Sequence, residues 1–139
     1  MTTYALDTNI ISHMLKNDMR VNTSFRQAND KGHIFIIPAT VYYEIRRGLL
    51  AANATTQMQA FKKLCDSLDV EEMNIDSWEE AAKIWATLRK SGVTLGKDDG
   101  DIFIAAHCIL NDYTLVTDNI SDFARIKTLF KDLKLTSWH

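Results

Sequence analysis

Four acidic residues, Asp7, Glu44, Asp101 and Asp118, occupy positions from which folding can bring their side chains together. Asp7 and Asp118 each end a short apolar segment, and Asp101 begins another. Carboxylates that converge within roughly 4 to 6 Å raise one another's pKa values, so clustering them is unfavourable without a cation. Mg²⁺ and Mn²⁺ are hard divalent ions that prefer such oxygen ligands. The four acids therefore predict a metal site that activates water for hydrolysis.

Each acid also has a structural interpretation by itself. Asp7 is suited to cap the following helix, because its oxygens can accept amide hydrogens at the helix start. Glu44 alone is typical of a solvated helix residue, and Asp118 with Asn119 is typical of a turn. Three acids are candidates for a cap favoured by the helix dipole: Asp98, Asp99 and Asp101. The placement of the acids along one predicted edge favours a metal site over four unrelated caps.

Strands and helices must alternate to position these acids. Apolar segments predict strands at 3–6, 33–38 and 114–118, with weaker strands in "LDVEEMNI" and "LKLTSW". The spacing of apolar residues predicts helices at 10–15, 39–52, 54–67, 76–92 and 101–111, and a short helical turn in "SDFARI". The polar segment 19–31 is compatible with a further helix that ends at Gly32.

Strands without a polar face, separated by helices, predict an α/β fold. We expect a three-layer α/β/α arrangement with a central, mostly parallel sheet of four or five strands flanked by helices. In such sheets ligands bind beyond the carboxyl ends of the strands. Asp7 and Asp118 fall at that edge.

The segment 76–92 has the clearest helical pattern. Asp76 is predicted to cap it, Glu79 to complete a capping box, and Gly92 to end it. The predicted core-facing side consists of Trp78, Ala81, Ala82, Trp85 and Leu88. We therefore expect both tryptophans to pack in the core.

Composition limits the class of protein. The chain has 139 residues, 46% of them hydrophobic, without a linker or repeat, so residues 1–139 are expected to form a single domain. No apolar run suits a membrane span and no export signal is present, so a cytoplasmic location is expected. Two isolated cysteines, Cys65 and Cys108, fit a reducing compartment. A net charge of −2 does not indicate a broad nucleic-acid surface, although local basic clusters are present.

Four segments resemble the signature blocks of a known enzyme family. The segments "LDTNIIS", "YYEIRRG", "DGDIFIAAH" and "TLVTDNISDF" are similar, in order and spacing, to those of PIN-domain ribonucleases. The particular form resembles VapC toxins of bacterial toxin–antitoxin pairs, and the resemblance covers nearly the whole chain. It implies a PIN-like fold and an endoribonuclease that depends on Mg²⁺ or Mn²⁺.

The resemblance assigns roles to individual residues. Asp7 and Asp101 match the two principal metal-ligating aspartates. Glu44 matches an acid that holds metal-bound water or a second ion, and as a base it would orient or deprotonate that water. The fourth family acid falls at Asn119, so either Asn119 or the adjacent Asp118 is expected to complete the site.

Neighbouring residues are expected to support these ligands. Asp99 is a candidate auxiliary metal ligand. The residues expected to position Asp7 and the metal-bound waters are Thr8, Asn9 and Thr117. Phosphate contacts are expected from Arg46, Arg47 and Lys97.

The resemblance also implies partners. The expected substrate is RNA, with tRNA favoured over ribosomal or messenger RNA, and the expected products carry a 3′-hydroxyl and a 5′-phosphate. A VapB-like antitoxin is expected to occupy the acidic groove and neutralise the toxin. We expect a homodimer, which can form a larger hetero-oligomer with the antitoxin.

Two other functions stay open. An acidic-site α/β phosphatase related to haloacid dehalogenases would need a second aspartate where this chain has Asn9. A non-catalytic PIN-like module would only bind RNA or protein, and the presence of Asp7, Glu44 and Asp101 argues against it. Histidines do not predict a further metal site, because no second His or Cys lies at metal spacing from His13 or His107 along the chain. His107 is expected to be a partly buried helix residue.

Overall fold

The computed structural model describes residues 1–95 and 99–139. Lys97 and Asp98, two of the residues considered above, lie outside the described residues. The strands are β1 (Thr3–Leu6), β2 (Ile34–Pro38), β3 (Asp69–Glu71), β4 (Thr114–Val116) and β5 (Lys134–Thr136). The helices are α1 (Thr8–Leu15), α2 (Met19–Asp30), α3 (Ala39–Ala51), α4 (Thr55–Ser67), α5 (Ile75–Lys90), α6 (Gly100–Asn111) and α7 (Ile120–Leu129).

The five strands form one parallel sheet in the order β3-β2-β1-β4-β5. β1 lies at the centre, where Ala5 pairs with Ile36 of β2 and with Leu115 of β4. Connections between parallel strands need crossovers, and helices supply them along this chain. The predicted α/β fold with a five-stranded parallel sheet is confirmed.

The register of β1 and β4 fixes the position of the first predicted acid. Leu6 pairs with Val116, so the residues that follow, Asp7 and Thr117, leave the sheet side by side. The backbone N–H of Asp7 donates to the carbonyl oxygen of Val116 at 3.0 Å. Asp7 and Thr117 therefore lie next to each other at the carboxyl ends of β1 and β4.

Apolar side chains of the sheet and helices form the core. Those with essentially no exposure include Leu6, Ile10, Ile11, Ile36, Ile37, Ile84, Ile104, Leu115, Phe123, Ile126 and Leu133. The central strands contribute to it from both faces, as expected of a sheet covered on both sides. Within the described ranges, none of the helices has the length and apolar character required to cross a bilayer.

The buried side of α5 differs from the prediction. The residues that α5 buries are Ser77, Ala81, Ile84 and Leu88. Trp78 and Trp85 are 42% and 45% exposed, and Ala82 is exposed as well, so the prediction that these three lie in the core was wrong. Small and aliphatic side chains fill the narrow space against α6, while the larger indoles pack with one face at its border. The Trp78 ring lies edge-on to the Phe103 ring at 5.0 Å, and the Arg89 guanidinium lies over the Trp85 ring at 5.0 Å.

The cap of α5 also differs. Asn74, rather than Asp76, caps the helix, because its Oδ1 accepts the Ser77 N–H at 2.9 Å and the Ser77 hydroxyl at 3.1 Å. The predicted end is confirmed, since Gly92 follows the helix with φ of +72°. That conformation suits glycine, which has no Cβ.

The last helix is longer than predicted. The segment expected to form a short turn is the ten-residue helix α7. Phe123 and Ile126 stand three residues apart on this helix and are fully buried. Their common burial stabilises a helix whose other large apolar residues, Ile120 and Leu129, are exposed.

Candidate active site

Asp7 lies at the junction of β1 and α1 and is only 4% exposed. It caps α1, because its Oδ1 accepts the Thr8 backbone N–H at 2.8 Å. Its Oδ2 accepts the Thr117 hydroxyl at 2.7 Å and the Asn9 side-chain amide at 3.2 Å. Asp7 therefore caps the helix and also has a carboxylate held in one orientation. The predicted contacts from Thr8, Asn9 and Thr117 are present.

The surroundings of Asp7 oppose its ionisation. Burial is the main cause that raises its pKa, and the negative charge of Glu44 raises the pKa further. The hydrogen bonds from Thr117, Thr8 and Asn9 act in the opposite direction but do not cancel the effect of burial. A cation beside Asp7 would offset this cost of keeping the carboxylate charged.

Glu44 lies in the second turn of α3 and is linked to Asp7 through one residue. The Thr8 hydroxyl donates to Glu44 Oε2 at 2.9 Å, while the Thr8 N–H donates to Asp7. Glu44 also lines an open cavity of about 380 Å³ together with Asp99 and Gly100 at the start of α6. The cavity thus connects Glu44 with the segment that carries Asp101.

Asp101, in the first turn of α6, joins the same network from the other side. The Asn119 side-chain amide donates to Asp101 Oδ2 at 3.2 Å. The Asn119 backbone N–H donates to the Thr117 hydroxyl at 2.9 Å, and that hydroxyl donates to Asp7. A continuous series of hydrogen bonds therefore runs from Glu44 through Thr8, Asp7, Thr117 and Asn119 to Asp101.

Asp118 faces a different group of side chains. Its carboxylate contacts His13 Nε2 at 2.5 Å and lies 3.8 Å from His139 Nδ1. Its backbone N–H donates to Asn9 Oδ1 at 3.0 Å. Of the two adjacent residues predicted as alternatives, Asn119 contacts Asp101, and the Asp118 carboxylate contacts histidines.

The basic residues are divided between two cavities. Arg47 lines the cavity that holds Glu44 and Asp99, and its guanidinium lies 5.1 Å from the centre of the Tyr43 ring. Arg46 instead lines a cavity of about 480 Å³ between α3 and α4. The placement therefore favours Arg47 over Arg46 as a phosphate contact near the acids.

Two features of the site were not predicted from the sequence. Tyr43 and Phe103 form aromatic walls of the cavity beside Glu44. Their positions next to Glu44 and two residues after Asp101 are the signal that could have indicated them. His107 is buried in α6, as predicted for a helix residue, and its Nε2 lies 3.0 Å from Glu71 Oε1.

The network fits a hydrated magnesium or manganese ion. The charged groups of the network that could bind a metal ion are carboxylates. Asp7 accepts three hydrogen bonds, and because a carboxylate can accept roughly four, it keeps a lone pair for a metal ion. In the described residues, the only group of at least three His, Cys, Asp or Glu with ligand atoms within 4.8 Å of one another is His13, Asp118 and His139. Asp7, Glu44 and Asp101 are spaced more widely, which suits an ion that keeps waters between its protein ligands.

Comparison with known proteins identifies the family and the fold. The family model for the PIN domain matches residues 4–129. Ribonuclease VapC1 of Haemophilus influenzae strain R2866 is 28% identical over 139 residues, with 97% of each chain covered. The structure of VapBC2 from Rickettsia felis, bound to a DNA fragment from their promoter, gives a TM-score of 0.86 at 23% identity, covering 99% of this chain and 100% of that one. VapBC-1 from nontypeable Haemophilus influenzae gives 0.82 at 25% identity, covering 99% and 98%.

Proposed function

Because the chain belongs to the PIN-domain family, we propose that it is a metal-dependent endoribonuclease toxin of the VapC type. The observation that carries the proposal is the hydrogen-bond network that joins Glu44, Asp7 and Asp101. Similarity to a curated VapC ribonuclease over nearly the whole chain supports the same activity. The reaction is hydrolysis of an RNA phosphodiester bond.

Each residue of the network has a defined task in this reaction. Asp7 and Asp101 would hold Mg²⁺ or Mn²⁺, with Asp99 as an auxiliary ligand. When bound, the ion supplies water of lowered pKa and stabilises charge on the phosphoryl oxygens. Glu44 orients the attacking water and accepts its proton. The water oxygen bonds to phosphorus as the bond to the 3′ oxygen breaks, and the 3′ oxygen takes a proton from solvent, so the products carry a 5′-phosphate and a 3′-hydroxyl.

The surrounding side chains hold these groups in place. The Thr117 hydroxyl and Asn9 amide fix Asp7 Oδ2, and Asn119 fixes Asp101 Oδ2. Arg47, in the same cavity as Glu44, is placed to contact a phosphate of the RNA. Such pre-organisation limits the rearrangement needed when the substrate binds.

We propose RNA as the substrate, tRNA before ribosomal or messenger RNA, and hence action in the cytoplasm. A VapB-like antitoxin is the proposed inhibitor, since the similar solved structures include VapBC complexes. A homodimer, and a larger complex with the antitoxin, complete the proposed assembly. Sequencing of RNA ends after brief induction of the protein would identify the cleaved RNA.

Cleavage of purified RNA tests the activity. The wild-type protein is expected to cleave RNA with Mg²⁺ and to stop when EDTA is added, while Asp101→Asn is expected to be inactive. Asp112→Asn is the matched control, because it removes a surface carboxylate that pairs with Lys134, and asparagine tolerates its φ of +58°. Cleavage that persists in EDTA or in Asp101→Asn would refute the proposed site.

The same assay addresses the alternatives. RNA binding without cleavage by the wild-type protein would support a non-catalytic module. Hydrolysis of a small phosphate ester would support a phosphatase. The structure argues against the latter, since Asn9 donates to Asp7 and accepts the Asp118 N–H, where the phosphatase needs an acid.

A further inference from the structure

Two histidines and two aspartates from distant parts of the chain meet beside α1. His13 Nε2 lies 2.5 Å from Asp118 Oδ2, and His139 Nε2 lies 3.2 Å from Asp18 Oδ2. The cross distances are 3.8 Å from His139 Nδ1 to Asp118 Oδ2 and 3.9 Å from His13 Nδ1 to Asp18 Oδ2. The imidazole rings stack with their centres 4.2 Å apart. We call these four residues the His–Asp cluster.

Separate anchors hold the members of the His–Asp cluster. Asp18 caps α2, with its Oδ1 accepting the Val21 N–H at 3.1 Å. The backbone of Asp118 is bound by Asn9. His139 follows Trp138, whose ring packs edge-on against Tyr4 at 5.7 Å. Two members of the cluster are therefore fixed directly by backbone hydrogen bonds, and His139 extends from an anchored tryptophan.

The cluster has the composition of a cation site. Asp118 Oδ1 is buried and has no hydrogen-bond partner among the described residues. The contacts with the histidines are made by the other oxygen, Oδ2, and a cation bound there would offset the cost of burying the carboxylate charge. Two carboxylates balance the charge of one divalent cation when both imidazoles are neutral. Imidazole and carboxylate together suit zinc and related first-row ions rather than magnesium.

We propose that the His–Asp cluster binds a divalent transition-metal ion such as Zn²⁺. His13, His139 and Asp118 are the ligands whose atoms lie within 4.8 Å of one another, and Asp18 is the fourth. Adjacent ligand atoms in a tetrahedral zinc site lie roughly 3.4 Å apart, as its bond lengths of about 2.0 to 2.2 Å require. The observed separations of 2.5 to 3.9 Å involve both nitrogens of each ring, and the rings are nearly parallel, so one ring must rotate for both to bind the same ion through a nitrogen lone pair.

The site is separate from the proposed catalytic network. Its ligands are not Asp7, Glu44 or Asp101, and they comprise two imidazole nitrogens and two carboxylate oxygens instead of oxygen atoms alone. A bound ion would tie α1, the start of α2, the segment after β4 and the segment after β5 to one another. Binding to the folded state alone would raise stability with increasing metal concentration.

Equilibrium dialysis with Zn²⁺ tests the proposal, using protein first stripped with EDTA. All variants carry Asp101→Asn, so that zinc in the acidic network does not dominate the result. We expect the Asp101→Asn protein to bind one Zn²⁺ per chain. Adding the His139→Ala substitution should weaken this binding at least about tenfold, since even outer-shell substitutions lower metal affinity on the order of 10- to 100-fold. Additional His33→Ala is the matched control, because His33 lies outside the cluster and bonds to the Thr2 N–H.

Cobalt provides a second measurement, because Co²⁺ bound by imidazole gives a visible absorption band. The band is expected with the parent protein and absent with His139→Ala. Equal Zn²⁺ affinity in the His139→Ala and His33→Ala proteins would overturn the proposal, as would a complete lack of Zn²⁺ binding. Mg²⁺-dependent RNA cleavage by His139→Ala alone is expected to be unchanged, so failure of the zinc site is distinguishable from failure of the nuclease assignment.

Discussion

Replacement of Thr117 by valine removes the hydroxyl that connects the two halves of the acidic network. Thr117 is fully buried, and its hydroxyl donates to Asp7 Oδ2 and accepts the Asn119 N–H. Valine has nearly the same shape, so the substitution removes these two hydrogen bonds, and a longer one of 3.5 Å from the Asn9 amide, without leaving a large cavity. We therefore expect the effect to report on hydrogen bonding rather than on packing.

The magnitude follows from the groups that lose a partner. A hydrogen bond to a charged group contributes about 1.5 to 3 kcal/mol, and a buried unpartnered group costs about 1 to 3 kcal/mol. Asn119 is only partly buried and can reach water, so we expect a total loss of about 3 kcal/mol. For a chain of this length that loss lowers the melting temperature by roughly 10 °C.

The substitution should also reduce RNA cleavage. Asn119 would no longer be held by Thr117, and its contact with Asp101 would loosen. Displacement of a catalytic group by about 1 Å can lower a rate about 100-fold, and we expect a reduction of that order. Stability is measured by thermal unfolding without metal, and activity by initial cleavage rates with Mg²⁺ below the unfolding transition.

Thr117→Ser is the matched control because it keeps the hydroxyl and removes one methyl group. Serine is expected to lose only about 1 kcal/mol and to retain most of the activity. If valine gave the wild-type melting temperature and rate, the hydrogen bonds of Thr117 would not hold the site together. Another contact would then have to position Asp7 and Asn119.

Three further predictions concern single side chains. Burial raises the pKa of Asp7 above its usual 3.8, so the stability that its protonated form contributes is present below that value and is lost as pH rises through the raised pKa. Without metal, the melting temperature of Asp7→Asn should therefore increase relative to that of the wild type from acid to neutral pH. A difference in melting temperature that does not change with pH would contradict this. Burial and the bond to Glu71 raise the pKa of Tyr113 to about 12, so ultraviolet titration should show a late-ionising tyrosine that Tyr113→Phe removes. Asn74→Ala should lower the free energy of unfolding by about 1 kcal/mol, whereas Asp76→Ala should have almost no effect; equal losses would show that the cap is misassigned.

The sequence was sufficient to predict the main elements and the edge of the sheet at which the acids lie. Strands such as 33–38 are short, β-branched and apolar on both faces, and this pattern is typical of a buried parallel sheet. Asp7 was placed correctly because a strand and a helix meet at it without an intervening loop. Register was not predictable, since the pairing of Leu6 with Val116 depends on contacts between residues more than a hundred positions apart.

The exposed face of α5 shows why burial could not be read from hydrophobicity alone. Trp78 and Trp85 stand seven residues apart, which is the spacing expected of a core-facing pair. Ser77 occupies the adjacent buried position because its hydroxyl bonds to the Asn74 cap, which satisfies its polar group. The buried side of α5 is therefore offset by one residue from the side that carries the two tryptophans.

The alternation of side chains after β4 explains both the acidic network and the His–Asp cluster. Asp118 and Asn119 are neighbours, yet the Asp118 carboxylate contacts His13 and the Asn119 side chain contacts Asp101. Sequence spacing could not indicate the first contact, because His13, Asp118 and His139 are brought together only by tertiary structure. Thr117 directs the chain at this point, since its hydroxyl binds both Asp7 and the Asn119 N–H. A substitution at Thr117 should therefore affect the acidic network first, while loss of His139 should leave that network intact.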